Sequence, residues 1–191
     1  YGESGDAHRL LATSDGIGPG DVPPAWLLAA DVVQAGPLHP ADVVPEALAG
    51  ARGLVGVDLQ GLVRGRLGPC DVRDLAARWG RTATVVQMSA SDVPGLFGRA
   101  APATIRQLLG AREVLVTDGA RGAVLATARG ARRVPARPID ARHPRGAGDT
   151  FLAVYLAARA TGAAPPAAAT RAAELTATMV AEGAVPRRGL G

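Results

Sequence analysis

Short runs of β-branched and aliphatic residues alternate along this chain with longer runs whose apolar positions recur every three or four residues. That alternation constrains the fold more than any single motif does. "ADVVQAG" (30–36), "GLVGVDLQG" (53–61), "TATVVQMS" (82–89) and "EVLVTDG" (113–119) read as strands. Between them, "HPADVVPEALAGA" (39–51) reads as a short helical region and "APATIRQLLGA" (101–111) as a helix. "CDVRDLAARWG" (70–80) sets Val72, Leu75, Ala76 and Trp79 on one helical face, with Gly80 expected just past its end as a C-terminal cap. Strands separated by helices of this length need crossover connections, so the spacing predicts an α/β fold: a mostly parallel sheet flanked by helices on both faces.

The remaining segments fit that plan. "HRLLATS" (8–14) reads as a strand, and "RGAVLATARGARRVPA" (121–136) as a strand, a tight turn and a strand. Two helices close the chain, 147–161 and 165–182, the second opened by Pro165 and Pro166. "DGIGPGDVPP" (15–24) contains G-x-G-x-G, but Pro19, Pro23 and Pro24 oppose an immediate helix, so it reads as a turn and not a dinucleotide loop. With 191 residues the chain is expected to form a single domain over 1–191.

Composition removes several function classes. All 21 basic residues are Arg. Without Lys there is no Walker A loop, whose Lys reaches the terminal phosphates, and no Schiff base. The lone Cys70 forms no intrachain disulfide or Cys-rich zinc site, and His8, His39 and His143 lack ligand spacing. The net charge of +4 is scattered, aromatics make up only 3%, and "RGARRVPAR" (129–137) reads as a solvated hairpin edge, so no nucleic-acid partner is expected. No apolar run approaches the roughly 20 residues that cross a bilayer, and the first residues lack a secretory pattern, so no membrane partner is expected and a cytoplasmic location is. No Met stands at position 1, which reads as a chain beginning partway into a longer frame.

The chemistry concentrates in "HPRGAGDTFLAVYLAARATG" (143–162). Glycine is a poor helix former, yet Gly146, Ala147 and Gly148 directly precede Asp149 at the mouth of an apolar helix. Small residues there let an anion approach free backbone N–H groups at the positive end of the helix dipole. The same dipole favours an ionised carboxylate on the first turn, and a base beside an anion hole suits phosphoryl transfer to a hydroxyl. Taken alone, the pattern also describes an ordinary loop followed by an N-terminal helix Asp.

It does not stand alone. "HPRGAGDTFLAVYLAA" resembles the C-terminal signature of the ribokinase-like (PfkB) carbohydrate kinases, in which a T-G-A-G-D-x-F stretch carries the anion hole and catalytic Asp. "VLVTDGARGAVL" (114–125) resembles their T-x-G-x-x-G nucleotide segment, and "VGVDLQGLVR" (55–64) the V-D-x-Q-G-x-x-R of several sugar and inositol kinases. The three occur in the family's order and spacing. The resemblance implies a Rossmann-like three-layer fold without the family's N-terminal part and lid, and ATP and Mg²⁺ as cofactors. It makes Asp149 the general base and Gly146, Ala147 and Gly148 the phosphoryl-binding amides. It sets Thr117, Gly119 and Gly122 on the nucleotide side and offers Arg64 for phosphate or substrate contact.

The departures shape the expectation. Where the family often has N-x-x-E, this chain has "SASD", so Ser89 and Asp92 are the candidate Mg²⁺ donors. His143 and Arg145 replace the usual Asp and Thr before Gly146. The expected activity is ATP-dependent phosphorylation of a hydroxyl on a sugar, a polyol such as inositol, or a nucleoside, with a homodimer open to the full-length parent. The alternative is a nucleotide-binding or scaffold protein without turnover.

Overall fold

The computed structural model describes residues 15–64 and 69–183, leaving aside the side chains of residues 64, 69 and 70. In chain order the elements are α1 (Pro24–Ala29), β1 (Val32–Ala35), β2 (Leu54–Asp58), α2 (Gln60–Arg64), α3 (Pro69–Thr82), β3 (Val85–Ser89), α4 (Val93–Phe97), α5 (Pro102–Leu109), β4 (Glu113–Thr117), β5 (Ala123–Thr127), β6 (Gly130–Val134), α6 (Ala147–Ala160) and α7 (Pro165–Glu182). The strand expected at 8–14 lies outside the described residues.

Among the described residues six strands lie side by side in chain order. β1 to β4 pair in parallel, and β5 and β6 return as an antiparallel meander. Right-handed crossovers between strands added in sequence put the connecting helices on one face. There Leu75, Trp79, Ile105 and Leu109 of α3 and α5 pack on Val57, Val86, Met88, Val114 and Val116. The opposite face is left to the two helices that come after β6: Phe151, Leu152, Tyr155 and Leu156 of α6, with the small face of α7, cover Val85, Leu115 and Leu125. Successive residues of β3 and β4 therefore feed opposite cores, which is why these strands read as unbroken apolar runs instead of alternating ones. The expected α/β fold, a mostly parallel sheet between two helical layers, is the one observed.

Two local expectations are corrected. Of residues 39–51 only Pro45–Leu48 forms a single 3₁₀ turn. Pro40 and Pro45 each remove a helical donor, and the Asp42 carboxylate instead accepts the N–H groups of Leu38 and His39, both at 2.8 Å. Gly80 is no cap, because α3 runs on to Thr82. A Cβ on Gly80 would strike the Leu109 carbonyl, so this glycine is where α3 and α5 touch. The short helices α1, α2 and α4 were not expected; each spans five or six residues, too few to display a periodic stripe. The first four residues of β6, with Arg132 and Arg133, are exposed on the sheet edge, in line with a solvated hairpin.

Candidate functional site

Parallel pairing brings the carboxyl ends of β1 to β4 to one edge. The register sets Asp58 against Gln87 and Ser89 against Thr117. Gly36 follows the end of β1 on the same edge. α6 packs across β1, β2 and β3 and presents its N-terminus here.

That N-terminus is built by Gly146, which caps α6 in the left-handed region at φ 76°, ψ 6°. A residue with a Cβ pays about 1 kcal/mol or more for that geometry. The Gly146 carbonyl accepts the first helical bond, from Thr150 N at 2.9 Å, and Ala147 N donates back to Pro144 O at 3.3 Å. The N–H groups of Gly146, Gly148 and Asp149 have no acceptor among the described residues. Asp149 sits in the first turn with an exposed side chain. Its Oδ1 lies 3.5 Å from where a Cβ on Gly36 would be, so the missing side chain at 36 leaves room beside the carboxylate.

Underneath the first turn runs a polar relay that sequence reasoning missed. Gln34 donates its Nε2 to the Asp149 carbonyl at 3.2 Å. Gln87, fully buried, donates Nε2 to the Gly148 carbonyl and to Asp58 Oδ2, both at 2.9 Å. The other oxygen of Asp58 accepts Gln60 N at 2.8 Å. Because both neighbours of the Gln87 amide are acceptors, its NH₂ end must face them, and Oε1 is left buried without a donor among the described residues. A buried orphan acceptor costs about 1 to 3 kcal/mol. The available signal was "VVQ" near the end of two strands, a glutamine where the pattern calls for core.

On the neighbouring strands, Thr117 is half-buried, with Oγ1 donating to Met88 O at 3.4 Å. After it, Gly119 (φ +50°) and Gly122 (φ +91°) shape a tight turn closed by Gly122 N to Gly119 O and Asp118 N to Gly122 O. Gly122 also has a reason of its own to be glycine, since a Cβ there would strike the Val134 carbonyl of the meander. Arg121 binds Asp118 bidentately at 2.6 and 2.7 Å and holds its carboxyl below the ordinary value, chiefly through those hydrogen bonds. Ser89 and Asp92 come together after β3, with Ser89 N donating to Asp92 Oδ2 at 3.3 Å and Ser89 Oγ sharing a hydrogen bond with Ser91 Oγ at 2.8 Å. Arg64 ends α2, and its side chain lies outside the described residues. Before the cap, the His143 ring packs on Gly183 and its backbone N–H donates to Val180 O at 2.8 Å, while Arg145 is exposed.

The donor set suits an anion: unpaired amides at a helix N-terminus, with room for close approach. For a divalent cation, no group of three or more His, Cys, Asp or Glu gathers among the described residues. Asp92 and Ser89 supply oxygen only, which fits Mg²⁺ held by one carboxylate, phosphate oxygens and water.

No curated protein sequence matches. Among solved structures, a PfkB protein from Polaromonas sp. JS666 is 27% identical with a TM-score of 0.68, covering 91% of this chain and 60% of that one. An aminoimidazole riboside kinase from Salmonella enterica, complexed with aminoimidazole riboside and an ATP analog, is 24% identical with a TM-score of 0.59, covering 77% and 55%. A pyrophosphate-dependent kinase in the ribokinase family, complexed with a pyrophosphate analog and myo-inositol, is 18% identical with a TM-score of 0.76, covering 94% and 68%. The chain thus spans less than two thirds of the first two. The sequence pattern of the pfkB family carbohydrate kinases extends over residues 25–185, taking in the strand edge, the Thr117 turn and the start of α6 alike; the chain belongs to that family.

Proposed function

We propose that this chain is the C-terminal nucleotide-binding and catalytic portion, one α/β domain over 1–191, of a cytoplasmic kinase that phosphorylates a hydroxyl of a sugar, polyol or nucleoside. The observation that carries this reading is the exposed Asp149 carboxylate on the first turn of α6, beside amides without acceptors and open space at Gly36. Asp149 takes the proton from the acceptor hydroxyl as its oxygen attacks phosphorus. The amides of residues 146–149 and the dipole of α6 hold the transferring phosphoryl, with Ala147 contributing once it releases Pro144. The Thr117, Gly119 and Gly122 turn receives the rest of the donor's phosphates, and Asp92 with Ser89 would hold Mg²⁺, which would neutralise phosphate charge. In this reading Arg145, exposed before the cap, neutralises phosphate charge, and Arg64 is assigned to phosphate or substrate contact on sequence grounds alone. Bound ATP would supply the phosphoryl group.

One observation favours the second reading, a binding protein without turnover: Ser89 bonds to both Asp92 and Ser91 within its own loop. Two measurements separate the readings. The first is calorimetric titration with ATP and Mg²⁺. The second is a product-release assay over myo-inositol, sugars and nucleosides, run with either ATP or pyrophosphate as donor. Both use the complete polypeptide. Turnover supports the kinase, and binding without turnover supports the alternative. Asp149→Asn is expected to lower kcat by about 10³-fold or more while nucleotide affinity stays within a small factor. An unchanged kcat removes Asp149 from the mechanism.

A further inference from the structure

We infer that Gln87, seconded by Gln34, is a positioning residue that fixes the rotation and height of the first turn of α6 and so aims Asp149 and the phosphoryl-binding amides. The inference rests on the phosphotransfer reading and adds to it a role for residues that touch neither substrate nor donor. The carbonyls of Gly148 and Asp149 already accept helical N–H groups from Leu152 and Ala153. Each also receives a side-chain amide from the sheet below: Gln87 on one, Gln34 on the other. Two bonds from two strands, β1 and β3, on adjacent carbonyls prevent the turn from rolling or lifting. Asp58 decides which end of the Gln87 amide faces the helix, because a carboxylate only accepts. Asp58 is itself held by Gln60 N at the start of α2. The relay therefore ties the turn after β2 to the first turn of α6.

A side chain kept only for stability would not be left with a buried oxygen that finds no donor among the described residues, as Gln87 Oε1 is. An apolar residue of the same shape would avoid that orphan and still fill the space. Asp58 would keep Gln60 N on Oδ1 and Gly148 O its helical donor, and the loss of the Gln87 donor on Asp58 Oδ2 is offset by removal of the orphan. What an apolar replacement loses is the aim of the turn. Misplacing a reacting group by about 1 Å can cost about 10²-fold in rate.

The test uses Gln87→Met, close in volume, and Gln34→Ala, at an exposed position where refolding is not at issue. Steady-state kinetics on the complete polypeptide are read beside Asp149→Asn as a control. Gln87→Met is expected to lower kcat by about 10²-fold with KM held within about threefold, and Gln34→Ala to lower kcat by about tenfold. The melting temperature of Gln87→Met should be unchanged or higher, and hydrogen exchange at the Leu152 and Ala153 amides faster in both variants. If Asp149→Asn is inactive while Gln87→Met and Gln34→Ala keep wild-type kcat, the positioning role is wrong and the phosphotransfer reading stands. If Asp149→Asn turns over normally, Asp149 is not the base, and the positioning role, which exists to aim it, falls with that assignment. A fall in kcat matched by a fall in melting temperature, with exchange raised throughout the chain, also overturns the inference in favour of a purely structural role.

Discussion

Glu113 begins β4 and is only 6% exposed, and two side chains answer its carboxylate. Tyr155 donates its hydroxyl to Oε2 at 2.7 Å, and Arg159 reaches Oε1 through Nη2 at 2.7 Å and through Nε at 3.2 Å. Arg159 also donates Nη1 to the Ala163 carbonyl beyond the end of α6, at 2.7 Å. A buried charge so fully paired is costly to break from either side. Burial, then the hydrogen bond to the Glu113 carboxylate, pushes the Tyr155 hydroxyl well above its ordinary value of 10.0. Below pH 10.0 the hydroxyl is protonated in folded and unfolded chains alike, and its contribution is fully present. Above it the unfolded chain releases the proton and the folded chain does not, so stability falls by about 1.4 kcal/mol per pH unit. Urea unfolding between about pH 8 and about pH 11 should show that slope in the wild type and lose it in Tyr155→Phe. The variant should also be about 1 to 3 kcal/mol less stable at neutral pH, having lost a hydrogen bond to a charged group.

At the scale of elements, α6 is the piece on which the site depends, and one glycine sets its distance from the sheet. Gly56, in the middle of β2, lies under Leu156, and a Cβ there would overlap the Leu156 side chain, which is fully buried. Gly56→Val should therefore destabilise by about 1 to 3 kcal/mol through overpacking. Leu156→Ala alone should cost about 2 to 5 kcal/mol as a cavity. The double variant should cost less than their sum, since each change relieves the other, and denaturant unfolding of the four-member cycle measures that coupling. The limits of α6 and α7 were legible: 147–161 and 165–182 were expected, Ala147–Ala160 and Pro165–Glu182 are found. Long apolar periods, a glycine before the first and two prolines opening the second made them so. The corner at Gly146 and Asp149 was legible because glycine and a carboxylate have local reasons to stand at a helix start. Gln34, Asp58 and Gln87 were not, because their meaning arises only when three strands bring them beneath one turn. Pro45–Leu48 was misjudged for the converse reason: its apolar spacing suggests a helix, and the prolines limit it to one turn.

Across the whole molecule, burial is graded from the centre of the sheet to its edges. In β3 and β4 every residue but the last is buried, because α3 and α5 cover one face while α6 and α7 cover the other. Among the described residues β1 stands at one edge with a single buried residue, Ala35, and β6 at the other with only Val134 buried. α6 spans the sheet between a polar hold at each end, Gln34 and Gln87 near its start and Glu113 near its finish. Strands with few buried contacts open without global unfolding, whereas strands buried on both faces do not. Native-state hydrogen exchange should accordingly give the β3 and β4 amides the free energy of global unfolding and the β1 and β6 amides a smaller one. Because Gln34 lies on β1, openings of that edge release one of the two bonds on the first turn of α6. Gln34→Ala should therefore raise exchange at Ala153 without altering β3, and equal protection of β1 and β3 would show that the edge does not open independently and that the site's support is as rigid as the core.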